Sequence, residues 1–556
     1  MLTAAQHRKR YKDLYSESST WRAHWQEIGR NSRPRGVRFN VTDGNRGGEK
    51  NDSIINGTPV FALRTLASGM MAGITSPSRP WFRLLTPDAS LNERPAVKQW
   101  LAIVEERVRL AMAKSNVYNI LHALYSELGG FGTAVALLEE DEEDIMRGYH
   151  LPIGSYVLAN SARLDVEVLY RLFRMTVGQM AERFGIERCS SSVQAMHRAG
   201  NFDSWVQVLH CISRNESVRV GQAMGVEGKA YLSTWIEYDS TEKDDGLLEV
   251  LGYHEKPFFA PRWETTGEDV YGGSPGMDAL GDSRALQVLE LRKAQAAEKL
   301  VNPAMVGDSR LMNSRITLLP GDTTFIDGTT GADGFKPAHE VAPAAVQVAG
   351  AEIIRHEERI NRAYYADLWL MLSQSDGTMT AREVVERREE KLLQLATVLE
   401  KLADELLDPV IARSFGILFR SGQVPEAPPE LVGEVMRVEY LGVMAQAQKM
   451  LGTAGIERVV GIVTSLAAVN NSVVDKLDVD QTVDEYADMM GVKPGIIRPD
   501  AEVDVLRAQR QQQQQAAQAM AAAQQASVTA KNLATSPTSP EGGNALQDIL
   551  TNMGVR

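Results

Sequence analysis

The chain has 556 residues, a hydrophobic fraction of 44%, a charged fraction of 24% and a formal net charge of −13. That length exceeds what one hydrophobic core serves, so several domains or an elongated architecture are expected. The acidic balance argues against a simple nucleic-acid clamp, which needs a basic footprint to displace counterions, but not against a DNA-handling protein that must avoid sticking. Cys189 and Cys211, with no CxxC pair and no clustered histidine, speak against a disulfide scaffold or a structural zinc. The opening MLTAAQHRKRYKDLYSE lacks the apolar region of a signal peptide, and the longest near-apolar run, Val459 to Val469, is too short for a bilayer. The expectation is a soluble protein of a reducing compartment, with no membrane contact, cofactor or metal.

Residues 1 to about 130 read as helical, with patches at Ala4 to Tyr15, Trp21 to Ile28, Val60 to Ala72 and Ala96 to Leu128. The texture then changes. TAVALLEED (Thr133 to Asp141), YVLAN, VEVLYRLFRM, WVQVLHCISR, KAYLSTWIEY and LLEVLGYHE are short and rich in β-branched and aromatic residues, which predicts an antiparallel sheet over 133–263. MTVGQMAERFG interrupts it as a short helix closed by Gly185.

From Asp278 the pattern is that of long helices. Arg284 to Val301 contains no proline, and Asp282 or Ser283 suits an N-cap. After Asn302-Pro303 comes a Gly/Pro-rich insert in which Pro320-Gly321, followed by Asp322, has type II turn chemistry and predicts a strand-turn-strand. A second long helix is predicted from Pro343 to Leu372, with the stripe Val346, Ala349, Ile353, Ile360, Tyr364, Leu368, Met371. The loop SQSDGT follows, with no apolar anchor. Thr380 and Glu383 then have capping-box spacing. Leu392, Leu395, Leu399, Leu402 and Leu406 predict a buried core helix that Pro409 ends or kinks. The Gln-rich run Arg510 to Ala526 is either helical or, without neighbours, low-complexity, and SPTSPEGG beyond it reads as disordered.

Chemistry is sparse. GNRGGEK (Gly44 to Lys50) has the wrong spacing for a phosphate loop. GGSPG (Gly272 to Gly276) matches the GxSxG pattern around Ser274, but a nucleophile elbow needs a buried strand before the serine and a helix at once after it. TTGEDVY precedes it and Pro275 follows. HEERI has Ile360 where a zinc-protease motif needs histidine, which leaves His356 as a helix-surface residue. EEDEED (Glu139 to Asp144) reads as a solvated strand-end turn. No catalytic constellation survives.

Several strings, in order along nearly the whole chain, resemble the portal or head-to-tail connecting proteins of short-tailed phages. They are NDSIINGTPVFALRTLASGMMAGITSPSRPWFRL, GYHLPIGSYVLANSARLDVEVLYRLFRMTVGQMAERFG, YHEKPFFAPRWETTGEDVYGGSPGMDALGDSRALQ, MTAREVVERREE and LDVDQTVDEYADMMGVKPGIIRP. The resemblance implies a mixed, mainly α fold with an α/β wing, a two-helix stem, a small β-containing clip, a channel loop and a helical crown or barrel. Carried onto this chain, it implies a wing over 1–276, stem helices over 277–301 and 337–372, and a clip over 302–336 around Pro320, Gly321 and Asp322. It further implies a channel loop over 373–380 with Gln374, Ser375, Asp376, Gly377 and Thr378, and a long kinked helix over 381–420 capped by Thr380 and Glu383. The wing or crown then resumes over 421–500, and 501–556 is a barrel or a disordered tail.

The implied function is a non-enzymatic ring of twelve subunits at one capsid vertex, through which double-stranded DNA is packaged and ejected. Its implied partners are the terminase large subunit, tail adaptor or nozzle proteins, and the major capsid and scaffold or internal core proteins. Its implied place is the virion, and the host cytoplasm during assembly. The alternatives are a serine hydrolase using Ser274 and a helical scaffold or adaptor without a channel.

Overall fold

Polar caps and glycine stops set the helix ends. Thr3 opens α1 (Ala4–Glu17) in a capping box: its hydroxyl accepts from the Gln6 N–H, and the Gln6 side chain accepts from the Thr3 N–H. Then come α2 (Ser19–Ser32), α3 (Thr58–Gly73), the short α4 (Ala89–Asn92), α5 (Pro95–Lys114) and α6 (Val117–Phe131). The single helical patch expected over Ala96 to Leu128 is two helices. Asn116 holds the break, its side chain donating to the Gly148 carbonyl and accepting from the Gly148 N–H, each at 2.9 Å. A partner in another element outweighs the helix preference of the residues around it.

The computed structural model describes residues 2–43, 47–48, 50–92, 94–216, 225–240, 246–307, 335–337, 342–373, 395, 397–431, 433, 436–441, 459–466, 476–483, 498, 500–535 and 545–552. They fall into two units, Met1–Ala445 and Gln446–Arg556. The described part is mainly helical with antiparallel sheets.

In the first unit the strands are β1 (Phe82–Leu85), β2 (Val135–Asp141), β3 (Ile145–Leu151), β4 (Tyr156–Asn160), β5 (Val166–Thr176), β6 (Trp205–Arg214), β7 (Tyr231–Glu237), β8 (Leu247–Tyr253), β9 (Phe258–Phe259), β10 (Met305–Gly307), β11 (Phe335–Pro337) and β12 (Arg437–Tyr440). β4 to β8 form one five-stranded antiparallel meander, and β3-β2-β9 a smaller sheet. The strands expected from YVLAN to LLEVLGYHE are the members of the meander. β3 was not expected; IMRGYHL has a glycine and alternates only loosely, and pairing along the whole of β2 makes it a strand. β1 pairs with β12, Phe82 opposite Tyr440.

Period-two alternation sorts the meander onto two covers. On one face Tyr170, Leu209, Cys211 and Ile236 pack under Ala4 and Tyr11 of α1. On the other, Val208 and Trp235 pack under α7 (Val177–Phe184) and α8 (Ser191–Arg198), with Met180, Phe184 and Val193 buried. His210 stacks on Trp235 at 3.8 Å, accepts at Nδ1 from the Arg171 Nε–H at 2.9 Å and donates from Nε2 to Ser233 at 2.8 Å. Burial, reinforced by the Arg171 charge, drives its pKa well below the usual histidine range, so the ring is neutral. A third cluster gathers Trp25 and Ile28 of α2 with Phe131, Tyr156, Phe258 and Tyr271.

Of the leucine stripe, Leu395, Leu402 and Leu406 are buried, as a core helix requires. Pro409 does not stop the chain. The helix widens into a π turn at Ala403–Leu407 and runs on as α13 (Asp408–Arg420), Pro409 falling in its first turn, where no N–H is missed. α13 carries Arg413, 1% exposed, whose guanidinium donates to the Leu138 carbonyl at 3.2 Å and to Glu255 at 2.5 Å. Its neighbour Arg420 also binds Glu255 together with Glu140, so the acidic strand-end turn is partly neutralised from α13.

In the second unit the Gln-rich run lies in one helix, α14 (Asp500–Thr535), 36 residues long and about 54 Å at 1.5 Å per residue. No side chain described along it is buried. α15 (Ala545–Asn552) follows.

Candidate functional site

The two long helices of the first unit are α10 (Leu280–Val301) and α11 (Pro343–Ala363), about 33 Å and 32 Å long. β10 follows one and β11 precedes the other, and the two strands pair antiparallel with Met305 opposite Pro337. The helices therefore form a hairpin joined through a β ribbon. Only the base of α10 is buried: Leu280, Ser283, Leu286 and Gln287. Toward its far end Leu300 and Val301 are exposed, and so are Val348 and Ile354 on α11. The stripe expected on the second helix holds, with Ile353, Ile360, Tyr364 and Leu368 buried and Val346 and Ala349 half-buried.

The base is pinned by polar groups. The Gln287 carbonyl accepts from the Ile55 and Asn56 N–H groups at 2.7 and 2.9 Å, and its amide donates to the Asn56 carbonyl at 2.8 Å. The Asn56 side chain donates to Glu290 of α10 at 3.1 Å and to Glu357 of α11 at 2.8 Å, while its oxygen accepts from the Thr58 N–H at the start of α3. Asp282 meets His356 at 2.7 Å and Arg359 at 3.5 Å across the hairpin. His356 is thus half-buried and paired, and Asp282 and Ser283 lie inside the first turn of α10, which starts at Leu280. The cap role falls one short helix earlier, to Ser274.

Ser274 opens α9 (Pro275–Asp278): its hydroxyl accepts from the Met277 N–H at 3.1 Å and donates to the Gly130 carbonyl at 2.9 Å. The residue is 4% exposed. A Cβ at Gly276 would lie 2.2 Å from the Gly130 carbonyl oxygen, and one at Gly272 2.5 Å from that of Gly132. The GxSxG string is a glycine-to-glycine contact between α6 and the entry to the hairpin. Both hydrogen-bonding roles of the serine are occupied by backbone, which removes the basis for a nucleophile.

The expected single helix of 343–372 is broken. α11 ends at Ala363 and α12 (Ala366–Ser373) begins after Tyr365, whose φ of +53° is left-handed. The break lets two aromatics face different walls. Tyr364 is buried, its phenol against Ser32, and Trp369 seats on α3. A Cβ at Gly69 would lie 2.3 Å from the Trp369 ring and one at Gly73 2.8 Å. The Gly69-to-Gly73 spacing on one helix face makes a slot for the indole. α12 therefore reaches residue 373 from a fixed seat.

The residues singled out beyond it, Gln374, Ser375, Asp376, Gly377, Thr378, Thr380 and Glu383, lie outside the described residues, as do Pro320, Gly321 and Asp322. Asn56, Gln287 and Trp369 were not singled out from the sequence. The Gly-x-x-x-Gly spacing in ASGMMAG was the one available signal for the Trp369 seat. No group of three or more His, Cys, Asp or Glu among the described residues is arranged to hold a metal. No described helix is long and apolar enough to cross a membrane.

Comparison with known proteins gives the context for this geometry. Residues 4–497 match the family described as bacteriophage head to tail connecting protein. The portal protein of Salmonella phage epsilon15 is 44% identical over 533 residues, 96% of this chain and 95% of that protein. The probable portal protein of Bordetella phage BPP-1 is 40% identical over 545 residues, covering 97% and 96%. A solved structure titled as the neck of an empty GTA particle, computed with C6 symmetry, aligns at 13% identity and a TM-score of 0.33 over 79% of this chain and 91% of that one, too loose a likeness to bear on the fold. With a match over most of its length and relatives this close from end to end, the chain belongs to the bacteriophage head-to-tail connecting protein family.

Proposed function

We propose that this chain is a portal subunit, copies of which close into a ring, twelve in the family's plan, at one vertex of a phage capsid. Double-stranded DNA passes along the ring axis during packaging and ejection. The carrying observation is the near end-to-end likeness to two portal proteins.

In this reading residues 1–276 are the wing, α10 and α11 with α12 the stem, and 302–336 the clip, which receives the terminase large subunit and later the tail adaptor or nozzle proteins. An antiparallel helix pair with a β ribbon at its tip and a polar, heavily pinned base supports the placement. Residues 373–380 are the channel loop, with 381–420 the kinked helix, 421–500 the wing or crown, and 501–556 the helical barrel. The major capsid and scaffold or internal core proteins surround the ring. Assembly takes place in the host cytoplasm and the ring ends in the virion. Native mass spectrometry and negative-stain images of the purified protein test this. A closed ring with a central hole is expected; a monomer, or an open filament without a hole, refutes it.

A further inference from the structure

The first 40 residues hold nine Lys and Arg against three Asp and Glu, a surplus of six positive charges, which leaves −19 for the other 516 residues. Such a reversal of sign within one chain points to a local anionic partner. Its most built part is the segment RNSRPRGVRF, Arg30 to Phe39, which leaves the end of α2 and runs beside β3 and β4.

The segment is held at several points. Ser53 donates to the Arg30 carbonyl, the Gly36 N–H to the Arg33 carbonyl at 3.0 Å, the Arg38 N–H to the Ile153 carbonyl at 3.0 Å, and the Arg22 guanidinium to the Phe39 carbonyl at 3.1 Å. Val37 and Phe39 pack against the core cluster of Trp25 and Phe131. Arg33 turns inward toward buried Glu127 at 3.6 Å. What remains, Arg30, Arg35 and Arg38, is exposed. Among the described residues none of the three has a carboxylate within ion-pair distance, whereas Arg262, Arg413 and Arg420 in this acidic chain are each closed by one. Three guanidiniums on an already ordered backbone give up little conformational freedom on binding.

We propose that Arg30, Arg35 and Arg38 form a surface contact for the phosphate backbone of double-stranded DNA; this rests on the portal reading only for the presence of DNA. Duplex DNA offers a phosphate charge about every 1.7 Å, so three fixed cations find partners at any sequence. An acidic protein surface would instead need carboxylates placed to match. The guanidinium fork suits a phosphate bidentately. The surface holds DNA without reading it.

The test uses the full-length assembled protein and closed-circular plasmid, which cannot be threaded through a closed ring. Binding at 50 mM salt and a steep loss by 200 mM are expected for the wild type. The variant R30Q/R35Q/R38Q removes three contacts, which lowers the exponent of the salt dependence by about 3 and makes the loss across that fourfold salt range about 40-fold smaller for each engaged copy. R30K/R35K/R38K keeps most of the binding. Negative-stain images of each variant establish that it still assembles. Plasmid binding unchanged in the glutamine variant, no plasmid binding by the wild type at 50 mM, or capture of poly-L-glutamate in preference to plasmid overturns the inference. Rings that ignore plasmid defeat this inference alone, and an absence of rings defeats the portal reading alone.

Discussion

Trp369 and the two glycines of α3 give a test whose sign, and not only its size, is fixed by the structure. Trp369→Ala removes a side chain that is 5% exposed and should cost about 3–5 kcal/mol. Among the described residues its buried indole N–H has no hydrogen-bond partner, so the cost is one of packing. Gly69→Ala in the wild type puts a methyl group 2.3 Å from that ring. Displacing the ring should outweigh the roughly 1 kcal/mol that alanine gains over glycine inside a helix, for a net loss of about 1–3 kcal/mol. In the Trp369→Ala background the clash is gone and only the helix gain remains, so Gly69→Ala should stabilise by about 1 kcal/mol. The coupling between the two sites is then about 2–4 kcal/mol, well beyond additivity. Thermal midpoints of the four proteins decide it, because a change of sign survives even irreversible unfolding. Should Gly69→Ala destabilise both backgrounds equally, the slot is not what seats α12.

Ser274→Ala should cost about 1–2 kcal/mol through the lost cap and the unpaired Gly130 carbonyl, and should leave any particle activity intact; loss of a hydrolytic activity in the purified variant would contradict the capping role. Burial, with a smaller contribution from the nearby Arg10 charge, brings the pKa of His7 from 6.5 down to about 4. The folded chain resists its protonation, so stability present above pH 6.5 should be lost as the pH falls toward 4, by about 3 kcal/mol at the acid end. His7→Gln should flatten that limb in denaturation curves, and an unchanged slope would place the acid sensitivity elsewhere. Deleting Ser375 to Gly377 should leave rings assembling while DNA packaging or retention falls; packaging at the wild-type level would remove the loop from the channel. Replacing Pro320-Gly321 by residues without turn preference should give intact rings and empty capsids, and rings that fail to form would refute the clip placement.

What was legible in the sequence follows from how local each signal is. β6 and its neighbours carry their β-branched alternation within ten residues, and the stripe from Val346 to Leu368 reports one buried face without outside help. The α11–α12 break gave no such warning. Tyr365 is neither glycine nor asparagine, and its left-handed backbone is imposed by where Tyr364 and Trp369 must go. The division at Asn116 was hidden for the same reason, because its partner Gly148 is 32 residues away. The GxSxG string misled in the opposite direction, since close backbone packing and a nucleophile elbow call for the same glycines. Of the hairpin base, the sequence named Asp282 only as a cap, and Asn56 and Gln287 not at all. Single polar residues acquire such roles only when three distant segments meet.

The pairing of β1 with β12 bears on how the chain is made. Phe82 waits for Tyr440, and at ribosomal rates of about 5–20 residues per second that wait is roughly 20–70 s. Shorter waits, over 275, 158 and 143 residues of synthesis, apply to the Leu138 carbonyl and Glu255, which are satisfied by Arg413, and to Arg262, which needs Glu405. Until each partner emerges, the nascent N-terminal part carries a raw strand edge and uncovered polar core groups. Such a species is a substrate for holding chaperones. A chain truncated before residue 440 should accumulate as aggregate even though most of its helices and the whole five-stranded meander have already been synthesised.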